Sequence, residues 1–221
     1  MILLHTARMG DSTLTRTFDL RDAKSATLDF SIWYDIEEGW DYAYVEASTD
    51  GGQQWQILPG RHTTEENPVG NAFGPGWSGM SGGGKTPEWV EEQVDLTPFA
   101  GKEVQVRFEY VTDDAVNGPG VLLDNFAVPE IGYKDDAEAG AAGWEASGWV
   151  QTDNALTQRW LVQLLEVGDG QVTVQRMVVG PDGRGQLSVS NLGDLNEAML
   201  VISGLTPVTT EPASYSYTFT R

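Results

Sequence analysis

Apolar and polar positions alternate along most of the chain, and helical spacing is nowhere sustained. In residues 41–48, Ala43, Val45 and Ala47 fall on one face, with Tyr42, Tyr44 and Glu46 on the other, as in a half-buried strand. Residues 103–111 repeat the pattern, with Val104, Val106, Phe108 and Tyr110 inward against Gln105, Arg107 and Glu109. Residues 121–128 read as a fully buried strand stopped by Pro129. Farther on, residues 160–167, 171–179 and 186–192 read as strands, separated by Gly168-Asp169-Gly170 and Pro181-Asp182-Gly183. Asp-Gly pairs tolerate the positive φ of tight hairpin turns. Tyr215, Tyr217 and Phe219 alternate with Ser and Thr near the C-terminus. The pattern predicts an all-β chain of about eleven or twelve strands arranged as β-sandwiches.

Composition changes near residue 131, which predicts two domains, 1–130 and 131–221. Residues 134–143 are acidic and small, reading as a connector or an exposed opening loop. Residues 60–87 show no strand pattern, are rich in glycine, and carry Asn67, Asn71, Phe73 and Trp77. Two readings stay open for this stretch. It is a loop folded over one sheet with Trp77 plugged into it, or it is a ligand platform. In the second reading Phe73 and Trp77 stack on a sugar or peptide.

Charge removes whole classes of partner. The chain carries 33 acidic against 13 basic side chains, a net charge of −20. Nucleic acid and an anionic membrane surface are therefore excluded as expected partners. No apolar run approaches the ~20 residues that span a bilayer, so membrane insertion is not expected. The absence of cysteine excludes disulfides and thiolate metal sites, and His5 and His62 are too few for a polyhistidine zinc site.

The carboxylates themselves suggest chemistry. Asp35, Glu37, Glu38 and Asp41 crowd the reversal between two predicted strands; Asp113, Asp114 and Asn117 form a second set, and Asp124 enters the buried strand. Loops at one end of a sandwich can supply the six to eight oxygen ligands that calcium takes. The expected structural Ca2+ ligands are Asp35, Glu37, Asp41, Asp113 and Asp124; the alternative is a set of solvated loop carboxylates. Catalytic signatures are missing. Gly76-Trp77-Ser78-Gly79 is no nucleophile elbow, His-Glu-x-x-His does not occur, and the Gly82-Gly83-Gly84-Lys85-Thr86 run lacks phosphate-loop spacing. Residues 48–55 fit Ser-x-Asp-x-Gly-x-x-Trp, the Asp-box, in which Asp50 ties turn amides and Trp55 packs beneath.

Several segments together resemble the accessory region of immune-inhibitor-A-type secreted metallopeptidases. They are Thr13 to Leu20, Trp33 to Glu37, Asp41 to Glu46, Ser48 to Trp55, Gly76 to Gly79, Trp89 to Glu92, Arg107 to Asp113 and Leu122 to Asp124, in that order. Asp135-Asp136-Ala137-Glu138, Arg159-Trp160 and residues 207–212 continue the likeness. The resemblance implies a jelly-roll sandwich of MAM type followed by a smaller antiparallel β-sandwich, both extracellular. The family's zinc-peptidase helix is absent, so proteolysis does not carry over. The family's acidic opening segment and Trp are missing before Thr13; Asp135 to Gly140 and Gly143-Trp144 resemble them but sit later.

The expected function is a non-catalytic extracellular accessory module, calcium-stabilised, that binds an extracellular protein or glycan surface. A structural or adhesive subunit of a cell-surface assembly and a carbohydrate-binding module are the alternatives. A missing opening strand would leave a sheet edge for self-association, with Ile2-Leu3-Leu4 and residues 215–219 suited to pairing.

Overall fold

The computed structural model describes residues 2–5, 12–116, 118–138, 140, 142–152, 155–189, 192–206, 209 and 212–220. The chain divides into two compact units, Met1–Ala155 with residues 208–210, and residues 156–207 with 211–221.

The first unit is a sandwich of two antiparallel sheets. One sheet contains β1 (Ile2–His5), β3 (Thr27–Asp35), β6 (Val90–Asp95), β8 (Gly120–Val128), β9 (Tyr133–Asp135) and β11 (Val150–Thr152). Its order is β11-β1-β8-β3-β6, with β9 also paired to β8. The other contains β2 (Ser12–Asp19), β4 (Tyr42–Ser48), β5 (Gln56–Leu58), β7 (Glu103–Val111) and β10 (Glu145–Ser147), in the order β10-β2-β7-β4-β5. Alternation fixes which side chains lie between the sheets. On β7, Val104, Val106, Phe108 and Tyr110 are all buried, as the sequence pattern predicts. Aromatic packing fills the centre, with Phe30 edge-on to Phe108 at a ring-centroid distance of 4.9 Å and Phe126 tilted against Trp144 at 4.8 Å.

On β4 all seven residues are buried, including the outward Tyr42, Tyr44 and Glu46. The outer face of this strand is covered by the long loop: Tyr44 Oη accepts the Phe73 N–H at 3.0 Å, and Tyr42 Oη donates to the Glu66 carbonyl at 2.9 Å.

Two expectations are corrected here. The first unit does not end at residue 130 but runs to Ala155, because residues 133–152 add strands to both sheets. β10 pairs with β2 in one sheet and β11 with β1 in the other, so the short turn through Gly148 and Trp149 closes one side of the sandwich. The stretch that resembles the family's opening segment thus completes the first unit. Nor is the chain start an open edge, since β1 lies between β8 and β11.

In the second unit, β12 (Trp160–Gly168), β13 (Gln171–Arg176) and β14 (Glu197–Gly204) form one antiparallel sheet in the order β13-β12-β14. Asp169 (φ 49°) and Gly170 (φ 74°) make the predicted hairpin turn. Strand pairing stops at Arg176; residues 177–179, the described part of 186–192, and 215–219 are not strands. Alternation alone is insufficient there, because the turn at Pro181 is closed by a local bond from the Gly180 N–H to the Arg184 carbonyl rather than by a ladder. Among the described residues of this unit, Val162 and Leu164 are the buried apolar side chains.

Candidate metal centre

The register of the sandwich brings the two acidic loops together. β3 pairs with β8 so that Asp35 faces Gly120, and β4 pairs with β7 so that Tyr42 faces Val111. Residues 36–41, crossing from β3 to β4, and residues 112–119, crossing from β7 to β8, must therefore lie side by side at one end. Gly118 is required at that approach, because an added Cβ would collide with the Asp35 carbonyl oxygen. The first loop is tightened by bonds from the Asp41 and Trp40 N–H groups to the Glu37 carbonyl, at 2.9 and 3.3 Å. Its Gly39, at φ 76°, donates its N–H to Ser78 Oγ at 2.8 Å.

Glu37, Asp41 and Asp113 converge there, each offering a carboxylate oxygen within 4.8 Å of the others. Asp41 is fully buried. Its Oδ1 accepts the Asp113 N–H at 3.2 Å and its Oδ2 accepts the Tyr110 hydroxyl at 3.3 Å. Burial pushes the Asp41 carboxyl up to about 6, against the lowering effect of these hydrogen bonds, and the neighbouring Asp113 charge adds to the rise. Burial and the Asp41 charge hold Tyr110 well above the usual phenol range, so it stays a donor. Glu37 Oε2 and Thr112 Oγ1 are buried with no hydrogen-bond partner. Three converging carboxylates, one fully buried and one with an unpaired buried oxygen, form an acidic cluster able to hold a metal ion.

The structure joins three of the five expected ligands and leaves two apart. Asp35 ends β3 and is bridged through its backbone to Met80. Asp124 lies down β8 opposite Ser31, where its Oδ1 accepts the Asn125 N–H at 2.8 Å beside a bulge with Asn125 at φ 54°. Asn117 lies outside the described residues.

The aromatic platform is corrected at Trp77, which is 1% exposed and cannot stack on a ligand. Its backbone pairs with Ala43, its ring packs edge-on against Phe30 at 5.8 Å, and its Nε1 donates to Glu92 Oε2 at 2.9 Å. Phe73 is exposed, resting at 6.1 Å from the Tyr44 ring.

Glu92 was not singled out from sequence. Its buried carboxylate also accepts the N–H groups of Arg61, His62 and Gln93 and contacts His62 Nδ1 at 3.2 Å, clamping the long loop to β6. The signal was the alternation Val90, Glu92, Val94, which places a charge in an inward row. The Asp-box forms the predicted turn: Asp50 Oδ1 accepts the Ser48 hydroxyl at 2.8 Å and the Gln53 and Gln54 N–H groups at 2.9 and 3.1 Å. Those donors hold the Asp50 carboxyl below its ordinary value. Arg107 covers the Trp55 ring at 4.2 Å and pairs with Glu46.

The sandwich has known relatives. The chain is 35% identical over 127 residues to immune inhibitor A of Bacillus thuringiensis subsp. alesti, covering 56% of this chain and 17% of that protein. It is 30% identical over 128 residues to the pre-pro-metalloprotease PrtV of Vibrio cholerae, covering 57% of this chain and 13% of that one. Bacillopeptidase F of Bacillus subtilis is 27% identical over 109 residues, covering 49% of this chain and 6% of its own length. In each case the match spans less than a fifth of the relative. Residues 8–154 match the family described as immune inhibitor A-like, MAM domain, in close agreement with the extent of the first unit, and the chain belongs to that family.

Proposed function

We propose that this chain is a non-catalytic accessory module of an extracellular peptidase-like protein, and that its MAM sandwich is stabilised by calcium. The observation that carries the calcium reading is the convergence of Glu37, Asp41 and Asp113 within 4.8 Å, with Asp41 fully buried. Calcium would ionise Asp41, engage the unpaired Glu37 Oε2, and tie the two crossing loops together, with carbonyls and water completing its shell. A chain at −20 gains further from a bound cation through reduced self-repulsion. The accessory role is supported by the family match, which in the relatives lies within much longer peptidases. The target in this reading is an extracellular protein or glycan surface, and Phe73 is the exposed aromatic of the covering loop that would touch it.

Thermal unfolding in millimolar calcium and in chelator tests the metal. Saturation a hundredfold above Kd raises stability by about 2.7 kcal/mol if the native state alone binds. Asp113→Asn should lose most of that gain. An unchanged melting temperature with calcium overturns the calcium reading. Turnover of casein by the pure chain, abolished by a point substitution within it, overturns the non-catalytic one.

A further inference from the structure

The sheet of the second unit has one face left open. Cross-strand partners on that face are Arg176, Gln163 and Val201 in one row, Val174, Leu165 and Met199 in the next, and Val172, Val167 and Glu197 in the third. Side chains directly opposite in an antiparallel pair point to the same side. Val172 and Val174 are 60% and 53% exposed, and Met199 and Val201 are both 39% exposed. The opposite face carries the buried Val162 and Leu164. The open face is therefore mostly apolar, with Gln163 on its central strand and two charges, Arg176 and Glu197, at diagonally opposite corners. Neither side chain has an ion pair or hydrogen bond among the described residues.

That layout is self-complementary. A two-fold axis lying in the face, perpendicular to the Arg176–Glu197 diagonal, places each Arg176 over the Glu197 of a second copy. The strands of the two sheets then cross steeply, as in orthogonal sheet packing, with Leu165 of each copy near the centre of the contact. Three strands about 4.8 Å apart and seven or eight residues long at about 3.3 Å per residue give a projected face of about 350 Å². Because the strands cross steeply, two such faces overlap over about 14 Å by 14 Å, roughly 200 Å² a side, the scale of a weak and transient contact between copies. The small net charge of this unit is compatible with the same occupant. Residues 156–221 carry four basic against six acidic side chains, so like copies of this unit repel weakly.

We propose that this face is a docking surface for a second copy of the chain, forming a two-fold dimer with two Arg176–Glu197 pairs at its corners. Sedimentation equilibrium of the whole chain from 1 to 200 μM at physiological salt tests it. The wild type should dimerise within that range. Arg176→Glu and Glu197→Arg should each raise the dimer Kd about tenfold or more, since each reversal sets two like-charge pairs in place of two ion pairs. The double variant Arg176→Glu with Glu197→Arg should recover the wild-type Kd. The milder Arg176→Gln and Glu197→Gln keep the strands and should weaken the dimer less, so misfolding of one reversal does not end the test. A wild type that stays monomeric at 200 μM, a dimer indifferent to both reversals, or a double variant as weak as the single ones overturns the proposal.

Discussion

Residues 1–155 and residues 156–221 are both built from antiparallel strands, yet only the first closes its layers. In the sandwich, every described sheet edge is met by a crossing segment or a short terminal strand. Gly60 bridges to Val94 on one side, and the turn through Trp149 links both sheets on the other. It holds a continuous aromatic core together with buried carboxylates, Glu92 and Asp41 the most fully enclosed among them. Among its described residues the second unit has a single sheet and two buried apolar side chains. Charge follows the same division: residues 1–155 carry nine basic against 27 acidic side chains, a net −18, and residues 156–221 a net −2. Closure is what makes buried charge tolerable, because fixed amides and hydroxyls can be arranged around it. An open sheet has no such enclosure, and the charges of its open face, Arg176 and Glu197, sit at the corners.

The largest effects should separate the two cores. Phe108→Ala removes a ring from the centre of the sandwich and should cost about 3–5 kcal/mol by urea denaturation. Leu164→Ala, in the thinner second unit, should cost about 2 kcal/mol or less, the low end for a leucine truncation. Equal losses would break the comparison. Next is the clamp: Glu92→Gln keeps the shape but gives up the charge that gathers three backbone N–H groups and the Trp77 indole. It should cost about 2–3 kcal/mol and open residues 60–87 to protease, while Glu91→Gln, on the exposed face of β6, should do neither.

A third effect concerns pH. The folded-state pKa of Asp41 lies near 6, above its ordinary 3.8. Without metal, its contribution is fully present below about pH 4 and is lost as pH rises through 6. In chelator, the difference in stability between wild type and Asp41→Asn should therefore shift against the wild type across that window. Calcium needs the ionised carboxylate, so its stabilisation should grow over the same window. A difference curve flat from pH 4 to 7 would remove the burial argument for Asp41.

How much of this was legible in the sequence depends on range. Inward rows such as Val104, Val106, Phe108 and Tyr110 follow from period-two alternation and stand as read. The Gly168-Asp169-Gly170 hairpin and the Asp-box turn are equally local. What could not be read is pairing across distance. The closing role of residues 145–152 rests on partners more than a hundred residues away in β1 and β2, and no local pattern announces it. The same holds for the site: Glu37 and Asp41 sit four residues apart, but Asp113 joins them only through the β4–β7 register, while the β3–β8 register leaves Asp124 down the strand. Trp77 was readable as either plug or platform because a loop's contacts are set by the sheet beneath it.

The most direct measurement is hydrogen–deuterium exchange of the whole chain in chelator and in millimolar calcium. Protection should rise in residues 36–41 and 111–116 and extend weakly into β4 and β7, with residues 156–221 unchanged. No change at the two crossing loops, or a change confined to the second unit, would contradict calcium bound by Glu37, Asp41 and Asp113 as the tie that holds that end of the sandwich together.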